Sequence, residues 1–147
     1  MRVNLSSLRF CLVFLTLCIA LRGHSSLVQV TADGDDNVGE RLVTRVRERF
    51  VKSARFELTN DDNADRMIVV IKTMSLGLPA PCDDEGHATI YSVVWYLNVQ
   101  HHHLYLDSTV GGAGVKSLDE AADAIVARAD HLFQIVADAA AKATPKK

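Results

Sequence analysis

This chain has almost no usable cysteine, no excess of positive charge, no apolar run long enough to span a bilayer and no complete catalytic set. Each lack removes a class of protein. Of the three cysteines, Cys11 and Cys18 lie in the N-terminal apolar run and only Cys82 lies downstream. No intramolecular disulfide can therefore staple a fold built from the rest, and a hydrophobic core must carry the stability. Lys and Arg number 16 against 18 Asp and Glu, so the clustered cations that neutralise nucleic-acid phosphates are missing. The apolar run from Phe10 to Leu21 is interrupted by Arg22, well short of the ~20 residues a spanning helix needs.

The beginning of the chain has the form of an export signal. Arg2 and Arg9 supply positive charge, the run from Phe10 to Leu21 supplies the apolar middle, and small residues follow at Gly23, Ser25 and Ser26. Residues 1 to 26 are expected to be a signal peptide, cut after Ala20 or near Ser25, leaving a periplasmic or secreted protein with no stable membrane span. Cys18 in the stretch Leu15-Thr16-Leu17-Cys18 suggests lipoprotein processing, but Leu17 stands where that processing wants a small residue. Loss of Arg2, Arg9 and Arg22 would take the formal charge from -2 to about -5. A mildly acidic domain of about 120 residues has material for one core.

Periodicity gives the architecture. Residues 27 to 32 alternate branched and polar types as a strand, and Gly34, Asp35 and Asp36 turn the chain into a helix over roughly 37 to 52. Its apolar stripe is Val38, Leu42, Val43, Val46 and Phe50; Arg45, Arg47, Arg49 and Lys52 form a solvated face. Short strands follow at 55 to 59 and 67 to 74, the second apolar on both faces and so interior. Ala88 to Val99 is the clearest strand, with Tyr91, Val93, Trp95, Leu97 and Val99 on one face. Gln100-His101-His102 turns it back into a hairpin strand over 103 to 110, and Gly111-Gly112-Ala113-Gly114 ends the pattern. Ser117 and Glu120 read as a capping box opening the last helix, whose stripe is Leu118, Ala122, Ile125, Val126, Ala129, Leu132, Phe133 and Val136. The fold class is α/β (α+β): a two-layer sandwich of order β-α-β-β-β-β-α. A mixed sheet of roughly four to five strands carries two amphipathic helices on one face. It forms a single domain over 27 to 140, with a frayed tail over 141 to 147.

One stretch has the cadence of a known family. Gly39, Leu42-Val43, Arg49-Phe50, Ser53-Ala54-Arg55-Phe56-Glu57-Leu58 and Ala64-Asp65 before Ile68-Val69-Val70 follow one another between Val38 and Ile71. This resembles the N-terminal-like domain of the periplasmic Tol-system protein TolB and related domains of cell-envelope assembly lipoproteins. The likeness covers about a quarter of the chain. Its motifs are architectural, so it implies a bacterial envelope domain that binds other proteins, and it carries over no functional residue.

Two patches could hold a metal. His101, His102 and His103 bring three imidazoles together in sequence, and Cys82, Asp83, Asp84, Glu85 and His87 offer thiolate, carboxylates and imidazole. Successive strand residues point to opposite faces, so the histidines need the bend of the hairpin to share one ion. The patches are separated by the strand from Ala88 to Val99, on the order of 40 Å, and make no composite site. Each reads more simply as a polar turn.

Enzymatic readings fare worse. Glycines at 111, 112 and 114 precede a helix, but Val115 spoils the phosphate-loop spacing and Asp119 and Glu120 would repel an anion. Strand alternation places His103 and Asp107 on one face and Ser108 on the other, against a triad. The acids around Cys82 would raise its thiol pKa and weaken a pair with His87. No cofactor is expected. Trp95 is expected in the core, while Tyr96 and Tyr105 are left as candidate partner-binding residues. The leading expectation is a non-enzymatic assembly domain engaging another envelope protein, with a homodimer also open and no nucleic-acid partner. The alternative is a periplasmic metal-binding protein.

Overall fold

The computed structural model describes residues 25–34, 36–76 and 88–143. The expected signal peptide up to His24, and Cys82, Asp84 and His87, lie outside the described residues. Ser25–Ala129 is one compact unit and carries the whole sheet; Asp130 onward belongs to a second.

Five strands form one mixed sheet in the order β2-β1-β3-β4-β5. β1 (Ser26–Asp33) runs parallel to β2 (Phe56–Leu58) and to β3 (Arg66–Ser75). β3, β4 (Ala88–Val99) and β5 (His102–Gly114) are successively antiparallel. Helix α1 (Asn37–Lys52) connects β1 to β2, and α2 (Leu118–Ala143) follows β5 through a 3₁₀ turn at Val115–Ser117. This is the expected α+β order.

The register assembles one dry face. Val28 and Val30 of β1, Met67, Val69 and Ile71 of β3, and Val93, Trp95 and Leu97 of β4 lie side by side and all are buried. The α1 stripe of Val38, Leu42, Val43, Val46 and Phe50 is buried in full, as its three-and-four spacing requires. Burying side chains of this size stabilises by about 1.5–3 kcal/mol each, so this layer is the core. Phe50 closes its end, meeting the ring of Phe56 edge-on at 5.3 Å between centroids. Leu118, Ala121, Ala122, Ile125 and Ala129 are the buried positions of α2 within the first unit, and Val126, expected in the stripe, is half-buried.

Asp36 starts α1 from a buried position. Its Oδ1 accepts the Gly39 N–H at 2.6 Å, satisfying an orphan donor of the first turn, and its Oδ2 accepts from Thr89 Oγ1 at 3.0 Å. One carboxylate thus both caps the helix and ties it to β4.

Four expectations need correction. Gly111–Gly114 does not end the last strand, which continues to Gly114 in register with Ala88–Tyr91. A Cβ at Gly111 would fall 2.5 Å from the Tyr91 ring, so close approach and not a turn selects glycine there. Ser117 does not cap α2 with Glu120; its Oγ accepts from the Gly114 N–H at 3.0 Å, inside the 3₁₀ turn. The residues Ala141–Ala143, expected in the frayed tail, are the last turn of α2. Finally, the face of α1 read as solvated is partly engaged. Arg49 bridges to Asp119 at 3.0 Å and to Asp123, and Arg45 reaches Asp119 at 3.7 Å. Neighbouring carboxylates hold the Arg49 guanidinium pKa above its usual value, Asp123 first by its hydrogen bond. These exposed pairs align α2 on α1 more than they stabilise the fold.

Candidate functional site

Alternation on β3, β4 and β5 sends every second side chain away from the helices. Ile68, Val70 and Met74 face that way on β3, Ile90, Val94 and Tyr96 on β4, and His103, Tyr105, Ser108 and Val110 on β5. No helix of the Ser25–Ala129 unit covers them. Val110 is 74 % exposed, Met74 61 % and Tyr105 58 %. These three are large side chains left in water on one sheet face, although Ile68 on that face is buried and Val51 on α1 and Leu104 on the other face of β5 are exposed as well.

The two tyrosines left open by the sequence belong to this face and touch. Tyr96 and Tyr105 are partners in the β4–β5 register, with centroids 6.2 Å apart at 74°, and His103 lies 6.4 Å from Tyr96. The Tyr105 hydroxyl is bonded to Ser108 Oγ at 2.9 Å. Edge-to-face packing and that bond hold the rings in place, so an aromatic cluster stands preformed beside the hairpin. Next to it Arg66, 6 % exposed, closes the sheet end. Its guanidinium donates to Gln29 Oε1, to Asp62 Oδ1, and to the carbonyls of Asp62 and Ala64. Nothing in the sequence announced this buried cation, because it adjoins a polar turn.

The two-residue hairpin sets Tyr96 opposite Tyr105, and a β-bulge just beyond them brings Ser108 onto the same face. The register slips between Trp95 and Tyr96, so that Trp95 pairs with Asp107, Tyr96 pairs with Tyr105, and Leu106 is the extra residue. Strict alternation across the bulge gives the wrong faces. His103 and Asp107 lie on opposite faces, and it is Ser108 that shares the face of His103, which corrects the sequence expectation.

The histidines occupy the hairpin itself. Gln100 and His101 have φ of 49° and 65°, a two-residue turn of the primed type, and β5 begins at His102, not His103. Gln100 N–H donates to Asp65 Oδ1 at 2.8 Å. His102 and His103, paired with Val99 and Asn98, point to opposite faces. Among the described residues no three His, Cys, Asp or Glu are placed to hold a metal ion. The left-handed conformation of His101 favours glycine by about 1 kcal/mol. His101→Gly is therefore expected to raise the melting temperature by about 3–6 °C, read by circular dichroism.

On the helix side, Tyr91, Trp95, Asp107, Thr109, Ile125 and Arg128 border a shallow cleft of about 410 Å³. Arg128 Nε donates to Asp107 Oδ2 at 2.7 Å, and this bond, followed by the backbone bond with Ser108, holds the Asp107 carboxyl below the usual carboxylate range. Asp107 is thus an ion-pair partner, poorly suited to serve as a base near neutrality. The depressed folded-state pKa contributes stability above the ordinary carboxylate value of ~3.9, and that stability is lost as pH falls through the depressed one. Asp107→Asn is therefore expected to destabilise the protein at pH 7, with the difference from wild type shrinking towards pH 3. Urea melts at the two pH values check this.

Among the described residues no helix is long and apolar enough to cross a membrane. No family model matches the chain, and no curated protein matches it. Several solved structures are similar to parts of this chain. Lipoprotein GNA1162 from Neisseria meningitidis is 11% identical with a TM-score of 0.41, over 74% of this chain and 99% of that one. The hypothetical protein CT253 from Chlamydia trachomatis is 8% identical with a TM-score of 0.37, over 62% and 73%. The rare lipoprotein B from Shewanella oneidensis is 14% identical with a TM-score of 0.30, over 78% and 97%. At such identities and scores these structures assign no role to any residue here.

Proposed function

We propose that this chain is an exported bacterial envelope domain that works by docking another envelope protein onto the open face of its sheet. Tyr96 and Tyr105 are its anchors. The observation that carries the reading is the packed pair of tyrosines on a sheet face that keeps Val110 and Met74 in water. Rigid aromatics bury large area at low entropic cost, which is why they dominate interface energetics. The N-terminal leader, and the resemblance of Val38 to Ile71 to envelope assembly domains, support the compartment and the partner class.

The test is a quantitative pull-down from envelope extract of the producing cell, comparing wild type with Tyr96→Ala/Tyr105→Ala and with Glu48→Ala on α1. One partner retained by Glu48→Ala and lost at least tenfold by the tyrosine pair is expected. Equal recovery by all three, or turnover of a defined substrate with no reproducible partner, rejects the reading.

The second reading is an exported metal-binding protein using His101, His102 and His103, or the loop with Cys82, Asp84 and His87. Its support is the adjacency of the three imidazoles in the sequence, against the opposite facing of His102 and His103. Native mass spectrometry of untagged protein decides it: stoichiometric metal favours this reading over the first.

A further inference from the structure

We infer that the outer edge of β5 pairs antiparallel with β5 of a second copy of this chain, centred on Val110, joining two five-stranded sheets into one. This inference rests on the strand edge and stands apart from the docking reading above.

The sheet has two ends, and they differ. β2 is three residues long, too short to template another strand. β5 has 13 residues, and among the described residues no strand pairs with its outer side. Proteins guard such edges with lysine, proline, inward charges or bulges. His102–Gly114 contains no lysine, arginine, glutamate or proline. The bulge at Leu106 interrupts the first half, and the stretch from Asp107 to Gly114 beyond it is regular and unguarded.

Charge and shape both favour a copy of the same strand. Asp107 is the one carboxylate on β5, and Arg128 of the same chain already neutralises it, so two strands meet without like-charge repulsion. Side-chain bulk is split about Val110: Asp107, Ser108 and Thr109 precede it, and Gly111, Gly112, Ala113 and Gly114 follow. Antiparallel pairing on Val110 sets the first group of each copy against the small residues of the other. Gly111 then faces Thr109, Gly112 faces Ser108 and Ala113 faces Asp107. Val110, 74 % exposed in the single chain, meets itself at the two-fold axis. Such a contact is isologous and closes at two, whereas pairing of unlike segments would leave another edge open. The two-fold axis runs perpendicular to the sheet, so the open faces of the two copies become continuous.

The experiment uses protein isolated after expression of the full chain. Sedimentation equilibrium from about 1 μM to 1 mM is expected to show a monomer–dimer equilibrium, and Val110→Lys is expected to weaken association at least tenfold. Val110 is exposed, so the variant keeps the wild-type circular dichroism and melting profile of the dilute monomer. A chain lacking its own cysteines (Cys11→Ser, Cys18→Ser, Cys82→Ser) provides the register test. Opposed residues in an antiparallel pair lie about 4.5–5.5 Å apart at Cα, within disulfide reach. Val110→Cys in that background is expected to form a covalent dimer on mild oxidation, and Thr31→Cys on β1 is not. A wild-type monomer throughout the range overturns the inference, as does a dimer indifferent to Val110→Lys or cross-linked equally from both positions. A monomer that still loses its partner on Tyr96→Ala/Tyr105→Ala refutes this inference alone; a Val110-dependent dimer with no envelope partner refutes the docking reading alone.

Discussion

Trp95→Ala is expected to remove about 3–5 kcal/mol of stability, a large share of the 5–15 kcal/mol typical of a domain. Trp95 is fully buried, pairs with Val69 on one side and Asp107 on the other, and so occupies the middle of the dry face. Neighbours held by ladders on both sides have little freedom to collapse into the space. Trp95→Phe should cost less than half as much. Among the described residues the buried indole N–H meets no acceptor, so its loss forfeits no hydrogen bond to them. Guanidinium melts followed by circular dichroism measure both. A Phe variant as damaged as the Ala variant would mean that the indole nitrogen has a partner.

Gly39→Ala should destabilise although helix propensity alone says the reverse. Alanine inside a helix is better than glycine by ~1 kcal/mol. Here, however, a Cβ at position 39 would overlap the Thr73 hydroxyl and crowd Asp36 Oδ2. Both neighbours are short side chains with little room to swing away. Overpacking of this kind costs about 1–3 kcal/mol, and it would also disturb the cap, because the Gly39 N–H is the one bonded to Asp36. The net expectation is a loss of about 1–2 kcal/mol, the clash outweighing the propensity. Thr73→Ala should restore only part of it, because the Cβ of residue 73 and Asp36 Oδ2 each still lie 2.5 Å from the added methyl, giving a double-mutant cycle with a coupling above about 0.5 kcal/mol. Urea midpoints of the four proteins provide the number. A stabilised single variant would show that α1 stands further from β3 than described.

What could be read from the chain beforehand follows from which forces leave a periodic trace. The stripes of α1 and α2, and the face of Trp95, repeat at the spacing of their element, so the layer order was legible. The bulge at Leu106 leaves no such trace, since a single inserted residue reverses the parity of everything counted across it. That is why Ser108 was placed on the wrong face. Glycine misled for a different reason: at 111 it makes room for Tyr91, but in a sequence it looks like punctuation. The bridges of Arg45 and Arg49 carried a faint signal, because Asp119 and Asp123 repeat at the same interval of four. Pairing the two series requires knowing that the helices lie side by side. Tyr96 is separable from the core by alternation on β4, whereas its contact with Tyr105 depends on a turn of two residues, Gln100 and His101, in place of the expected three.

Where the chain works, the sheet face of Tyr96 and Tyr105 is expected to meet another protein. A photo-reactive amino acid at Tyr105, and separately at Glu48 on the opposite layer, can be activated in intact producing cells. One discrete cross-linked species is expected from position 105, absent from position 48 and abolished by Tyr96→Ala. Cross-links from position 48 of equal yield, or none from position 105, would contradict it.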